Sequence, residues 1–155
     1  LIHFQIIQVL VYPSKNAISI EDFILKNGPI DRFVFLDATW FQVGGLRILP
    51  EIQNLPSVTL RSYKTQYWRP QKGHSDEHLA TIEAVYYAIR EVLEVNYNRN
   101  KNNNSCADHN DNNVQQSYNG QIDDLLYWFY YFHSKVPQEV FEKNLNGRIV
   151  TSSES

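Results

Sequence analysis

Methionine is absent from the 155 residues, and cysteine occurs once, at Cys106. One thiol excludes an internal disulfide framework and a CxxC zinc site, and it suits a reducing compartment. No apolar run approaches the roughly 18 residues of a membrane helix, so no span is expected. Residues 1–11 lack the basic start and the small-residue cleavage site of a signal peptide. An excess of positive charge is also missing, because 14 basic residues face 17 acidic ones for a net charge of −3. Wholesale electrostatic attachment to nucleic acid is not indicated, and any RNA contact has to come from a local patch. No P-loop, GxGxxG or Ser-His-Asp set occurs. What the chain holds in quantity is apolar and aromatic: 43% hydrophobic residues, with 10 Tyr, 8 Phe and 3 Trp. That is enough for one domain with a core.

Residues 4–11 read as a buried strand, β-branched and closed by Pro13. Residues 18–26 suit a short helix that Asn27-Gly28-Pro29 ends. Residues 32–36 form a second apolar run, closed by Asp37. Helix is predicted over 40–49, weakened by about 1 kcal/mol at each of Gly44 and Gly45. A third strand is expected at 58–60 and loop over 61–75. The clearest helix carries Leu79, Ile82, Tyr86, Ile89 and Leu93 at helical spacing, with Ser75 as its expected cap. Residues 96–119 are Asn-rich and read as a flexible insertion. A last helix presents Ile122, Leu125, Leu126, Phe129 and Phe132 on one face. Tyr127, Trp128, Tyr130 and Tyr131 on the same helix are read mainly as core packing, and residues 147–155 as a frayed tail. Alternating strands and helices imply one α/β domain over 1–155 with a mostly parallel sheet. In such sheets ligands sit beyond the carboxyl ends of the strands, which points at residues 12–17 and 37–40.

Asp37 ends an apolar run ahead of a predicted helix, which suits either a site acid or an N-cap. Thr39 reads as a cap, and Trp40 as a packing residue or a stacking one. Between Arg61 and Lys72, four cations (Arg61, Lys64, Arg69, Lys72) interleave with Tyr63, Tyr67 and Trp68, without an acid. Cations for phosphates and rings for bases are what single-stranded RNA requires, although a solvated loop with tucked aromatics fits the same letters. Glu83 is suited to neutralising a bound ammonium group, or to pairing with a neighbouring Arg. His74 and His78 lack a nearby third ligand, so no metal site is expected.

Four segments then align in order with a known pattern. Asp37-Ala38-Thr39-Trp40 matches the Asp-x-Thr-Trp signature of the DTW-domain family of tRNA-uridine aminocarboxypropyltransferases. Tyr12-Pro13-Ser14-Lys15-Asn16-Ala17 resembles that family's Pro-containing loop after a strand. Tyr67-Trp68-Arg69-Pro70-Gln71-Lys72-Gly73 resembles its Arg-containing loop. Leu79-Ala80-Thr81-Ile82-Glu83-Ala84 resembles its Ser-Thr-x-Glu-Ala helix start, and 118–132 is similar to the last helix of the eukaryotic type 1 branch. The similarity covers roughly residues 9–94 and 118–134.

The resemblance implies a SPOUT-like α/β fold with a knotted C-terminal region. It implies S-adenosylmethionine as donor of a 3-amino-3-carboxypropyl group and N3 of a tRNA uridine as acceptor, in the D-loop. Asp37, Thr39 and Trp40 are then the expected catalytic set. Pro13, Ser14, Ala17, Arg69, Thr81 and Glu83 are expected at the donor, and Arg61, Lys64, Tyr67, Trp68 and Lys72 at the RNA. A nuclear or cytoplasmic address follows from that substrate, and no pattern specifies an oligomeric state. The family's cysteine-rich, metal-binding start has no counterpart here, so the chain is expected to be shortened at its N-terminus. Ala80 stands where Ser is common. A non-catalytic relic that binds nucleotide or RNA, and the ribosomal-RNA branch of the superfamily, are the alternatives. Methyl transfer, which SPOUT-like folds mostly perform, is disfavoured by the signature.

Overall fold

The computed structural model describes residues 6–39, 41–69, 73–103 and 118–145. Strand β1 (Gln8–Val11) lies at the centre of a four-stranded sheet. Its neighbours are β3 (Arg32–Val34) and β4 (Ser57–Thr59), and β2 (Ile18–Ser19) pairs outside β4, for the order β2-β4-β1-β3. Every pairing is parallel, with Val9 opposite Phe33 and Leu10 opposite Ser57. The strands start or end within a few residues of the expected runs; β2 had no periodic signal because two residues carry none. Parallel pairing puts all the strand ends that follow β1, β3 and β4 on one side, which is where a site forms.

Helix α1 (Ile20–Asn27) follows from local chemistry. Ser19 Oγ accepts from the Asp22 N–H at 3.0 Å, and Glu21 and Asp22 occupy the positive first turn. Ile20, Phe23 and Ile24 sit on one face and are buried. Gly28 stops the helix at φ 91°, a conformation that disfavours side chains with a Cβ, and its N–H donates to Ile24 O at 3.0 Å.

The core joins α1 to the sheet and to α4 (Thr81–Asn103): Val9, Ile20, Phe23, Ile24 and Val58 meet Ala88 and Val95. Completely buried, Val9, Ile20 and Val58 each contribute about 1.5–3 kcal/mol of transfer free energy. A second cluster uses the same helix. Tyr86 packs with Leu126 of a 3₁₀ turn (Asp123–Leu126) and Phe129 of α5 (Tyr127–His133). Helix α6 (Gln138–Leu145) follows Pro137.

Several expectations are corrected. The predicted helix at 40–49 shrinks to α2 (Val43–Arg47), and Pro50 starts a separate short α3 (Pro50–Gln53). Ser75 does not cap α4. It closes an upstream turn, where Ser75 Oγ accepts from Glu77 N–H at 3.2 Å. The first residues of the Asn-rich stretch, 96–103, continue α4, because propagating a helix already fixed by Tyr86, Ala88 and Val95 costs little per residue. The remaining 104–117 and the tail lie outside the described residues. Tyr127, Trp128, Tyr130 and Tyr131 are exposed rather than packed, since a seven-residue helix turns only one face, Phe129, toward α4. Leu125 and Phe132 are exposed for the same reason.

Candidate functional site

A cleft of about 1560 Å³ opens beyond the carboxyl ends of β1, β3 and β4. Tyr12 and Pro13 enter it after β1, residues 35–39 and 41–43 after β3, and Leu60 to Tyr63 after β4; the approach to α4 closes the remaining side. It lies at the end of the strands to which the sheet rule points.

Asp37 is exposed in this cleft, and its Oδ1 accepts a hydrogen bond from Thr81 Oγ1 at 2.8 Å, across 44 residues of sequence. It does not act as an N-cap. Thr39 takes over the turn instead: its carbonyl accepts from the Gln42 and Val43 N–H groups, and its hydroxyl donates to Gln42 Oε1 at 2.8 Å. The signature loop is thereby held by Thr39, while the Asp37 carboxylate faces the open space. Trp40 lies outside the described residues.

Glu83 has another environment. It is 4% exposed, does not line the cleft, and accepts three hydrogen bonds: from Thr65 Oγ1 at 2.6 Å, Gln66 N–H at 2.8 Å and Ala80 N–H at 2.7 Å. The bond to Ala80 is half of a capping box, with the acid three residues into the helix reaching back to the residue before it. Ala80 has no side-chain acceptor to complete the pair. Glu83 therefore fixes the start of α4, and with it Thr81, and ties both to the 65–66 segment.

The basic segment has acids that its own letters do not show. The Arg61 guanidinium bonds Glu94 and lies 3.5 Å from Glu91, and Lys64 Nζ lies 3.2 Å from Asp76 Oδ2. A hydrogen bond to Glu94 raises the Arg61 pKa further above its ordinary value, against desolvation. Burial acts to raise the Glu94 carboxyl, but hydrogen bonds from Arg61 and Arg90 hold it below the usual range. Tyr63 stacks on Tyr87 with centroids 3.7 Å apart, and its phenol is pushed up to about 12 by burial first and by Glu91 second. Tyr67 lines the cleft while joining Trp68 and Phe129 in the second cluster; Trp68 is half-buried there, 5.2 Å from Phe129. Arg69 lines the cleft with its guanidinium 5.8 Å from the Tyr67 ring. Lys72 lies outside the described residues.

Of the loop after β1, Pro13 lines the cleft, and Ser14 and Ala17 do not; they close a turn through Ala17 N–H to Ser14 O at 3.0 Å. Sequence reasoning passed over Phe41 and weighed His74 and His78 only as metal ligands. All three line the cleft. Among the described residues no cluster of three or more His, Cys, Asp or Glu could hold a metal. Burial first, and His74 second, push the His78 imidazole below its ordinary value. No local signal marks Phe41, because its exposure is set by the turn that Thr39 holds. The site thus combines an open carboxylate held by a hydroxyl, aromatic walls and two cleft-lining arginines, Arg61 bonded to Glu94 and Arg69 beside Tyr67.

The family model for the DTW domain matches residues 3–137. The chain is 28% identical over 117 residues to human tRNA-uridine aminocarboxypropyltransferase 1, covering 76% of this chain and 33% of that protein. The mouse protein of the same name is 32% identical over 109 residues, covering 70% and 30%. The Xenopus laevis protein is 30% identical over 125 residues, covering 79% and 37%. The chain therefore spans about a third of the length of these curated relatives. No solved structure matches. No helix among the described residues is long and apolar enough to cross a membrane.

Proposed function

The chain belongs to the DTW-domain family, and from that premise we propose that it transfers the 3-amino-3-carboxypropyl group of S-adenosylmethionine to N3 of a uridine in tRNA. The fold we assign to it is SPOUT-like. The observation that carries the reading is the Asp37 carboxylate, exposed in a cleft at the strand ends and held by Thr81. The cleft also fits the donor and part of an acceptor together, since its volume exceeds the ~300–1000 Å³ that one drug-sized ligand fills.

Bound S-adenosylmethionine supplies a carbon activated by the adjacent sulfonium, which departs as the neutral thioether methylthioadenosine when the new N–C bond forms. Uridine N3 carries a weakly acidic proton that has to leave, and Asp37 accepts it at the oxygen not engaged by Thr81. Thr81 fixes the carboxylate's orientation. No leaving-group acid is required, so alignment of the two substrates does most of the work. Pro13 lines the donor side, and Arg69 holds the donor carboxylate or an RNA phosphate, for which its fork is suited.

The test is a titration of the chain with S-adenosylmethionine, then mass spectrometry of a tRNA transcript incubated with both. The expected result is binding and a mass gain equal to one aminocarboxypropyl group. Asp37→Asn is expected to slow transfer on the order of 100-fold or more while donor affinity is kept. Transfer by the variant at the wild-type rate removes Asp37 from the role of base. Binding by a folded chain without transfer favours the alternative, a nucleotide- or RNA-binding relic. Transfer to ribosomal RNA in place of tRNA moves the acceptor to that branch.

A further inference from the structure

Phe41 is 86% exposed, more than any other large apolar side chain among the described residues, and it stands in the cleft. A single exposed apolar residue is ordinary by itself; what marks this ring is its place in the cleft. It is also held in place. Its turn is fixed by Thr39 and Gln42, and its ring meets His74 with centroids 5.3 Å apart at 67°. His74 lies 4.9 Å from His78, and four residues before it along the chain, while Thr81, three residues after His78, bonds Asp37. The 37–42 turn and the 74–81 segment are therefore joined at both ends, by a hydrogen bond at Asp37 and an aromatic contact at Phe41.

We propose that Phe41 and His74 form an aromatic corner that binds a planar nucleobase at the mouth of the cleft. This rests on the transfer reading for its choice between donor and acceptor, but not for its ligand class. Two rings at 67° are not a flat platform. A planar heterocycle seated on the face of one ring presents its edge to the other. Among the described residues, His74 makes only its ring contacts with Phe41 and His78, so its nitrogens remain able to meet the base edge. Stacking on a ring combined with hydrogen bonding at the edge is how unpaired bases are recognised. The base is either the adenine of the donor or a base of the single-stranded acceptor. Both offer the same face and edge chemistry.

The experiment titrates wild type, Phe41→Ala, Phe41→Tyr and His74→Ala with two probes: S-adenosylmethionine, and a single-stranded uridine-containing RNA oligonucleotide. Phe41→Ala is expected to weaken one arm on the order of ten-fold or more, and Phe41→Tyr to restore most of it. Loss in the donor arm assigns the corner to adenine, and loss in the RNA arm to an acceptor base. The melting temperature should stay unchanged, because a ring this exposed contributes little packing. Phe41→Ala affinities unchanged in both arms overturn the proposal. A wild type that binds RNA through Phe41 but not S-adenosylmethionine leaves the corner standing and overturns the transfer reading. A folded wild type that binds neither probe overturns both.

Discussion

Two walls of the cleft carry charged side chains that end in opposite states. On one, the turn after β3 faces the approach to α4, and among the described residues the Asp37 carboxylate carries one hydrogen bond, from Thr81. On the other, the segment after β4 brings a row of cations, of which Arg61 is bonded to Glu94 beside Glu91 and Lys64 is paired with Asp76. The acids that pair with Arg61 stand 30 and 33 residues away on α4. A charge counted in a sequence window is therefore not a charge available at the surface. Asp37, at a strand end and in no ion pair among the described residues, stays open to the cleft.

Glu83 joins the two walls, so removing it is the largest disturbance expected. Glu83→Leu leaves the Thr65 hydroxyl and the Gln66 and Ala80 N–H groups without their acceptor. The Thr65 hydroxyl is buried and the two N–H groups are partly buried, so at about 1–3 kcal/mol for a fully buried unsatisfied group a total loss of about 3 kcal/mol is expected in urea denaturation. Glu83→Gln keeps the shape and should cost less, because one amide oxygen still accepts. A loss below about 1 kcal/mol for Glu83→Leu would mean that water or neighbouring groups replace the carboxylate, and that the walls are joined elsewhere.

The site was legible in the sequence to the extent that its parts are local. The cleft's position follows from strand–helix alternation, and α1 follows from Ser19, its buried triad and Gly28. Asp37 was singled out as an acid ending a strand run, but its choice between capping and exposure depended on Thr39, two residues away. The partners of Arg61 and Lys64 could not be read, since the sheet and α4 have to assemble before Glu91, Glu94 and Asp76 arrive beside them. Ser75 reads as the cap of α4 because serine is a good cap; the chain instead caps with Glu83 from inside the helix. Tyr127 and Trp128 misled for a related reason. Apolar letters at helical spacing bury only when a partner covers that face.

Arg61 tests the second wall with a smaller effect. Arg61→Ala leaves Glu91, only 3% exposed, without its guanidinium, although the Arg61 backbone N–H still donates to it. The Arg side chain is itself largely exposed, so the loss should be about 1–2 kcal/mol, between a surface and a buried pair. RNA supplies a second readout. Each phosphate contact removed lowers the slope of log affinity against log salt by roughly 0.7–0.9. Arg61→Ala is expected to leave that slope unchanged, because Glu94 and Glu91 already engage its guanidinium. A lowered slope would mean that Arg61 leaves its glutamates to meet RNA, and the two walls would no longer differ in kind.

The smallest effect belongs to pH, and it falls on the first wall alone. Burial and His74 hold folded His78 below its ordinary value, while the Ser75 hydrogen bond and Glu77 act in the opposite direction. An unfolded imidazole titrates near 6.5, so below that pH the unfolded chain takes up the proton more readily than the folded one. Stability from this group is fully present above about 6.5 and is lost as pH falls through the unfolded value toward the lower folded one. His78→Gln removes the difference. The urea midpoint of wild type should fall relative to the variant's across that window. The second wall contributes nothing there, since Arg61 is held above its ordinary value and Glu94 below its own, so that both stay ionised. Parallel profiles for wild type and His78→Gln would place the imidazole in water rather than against the cleft wall.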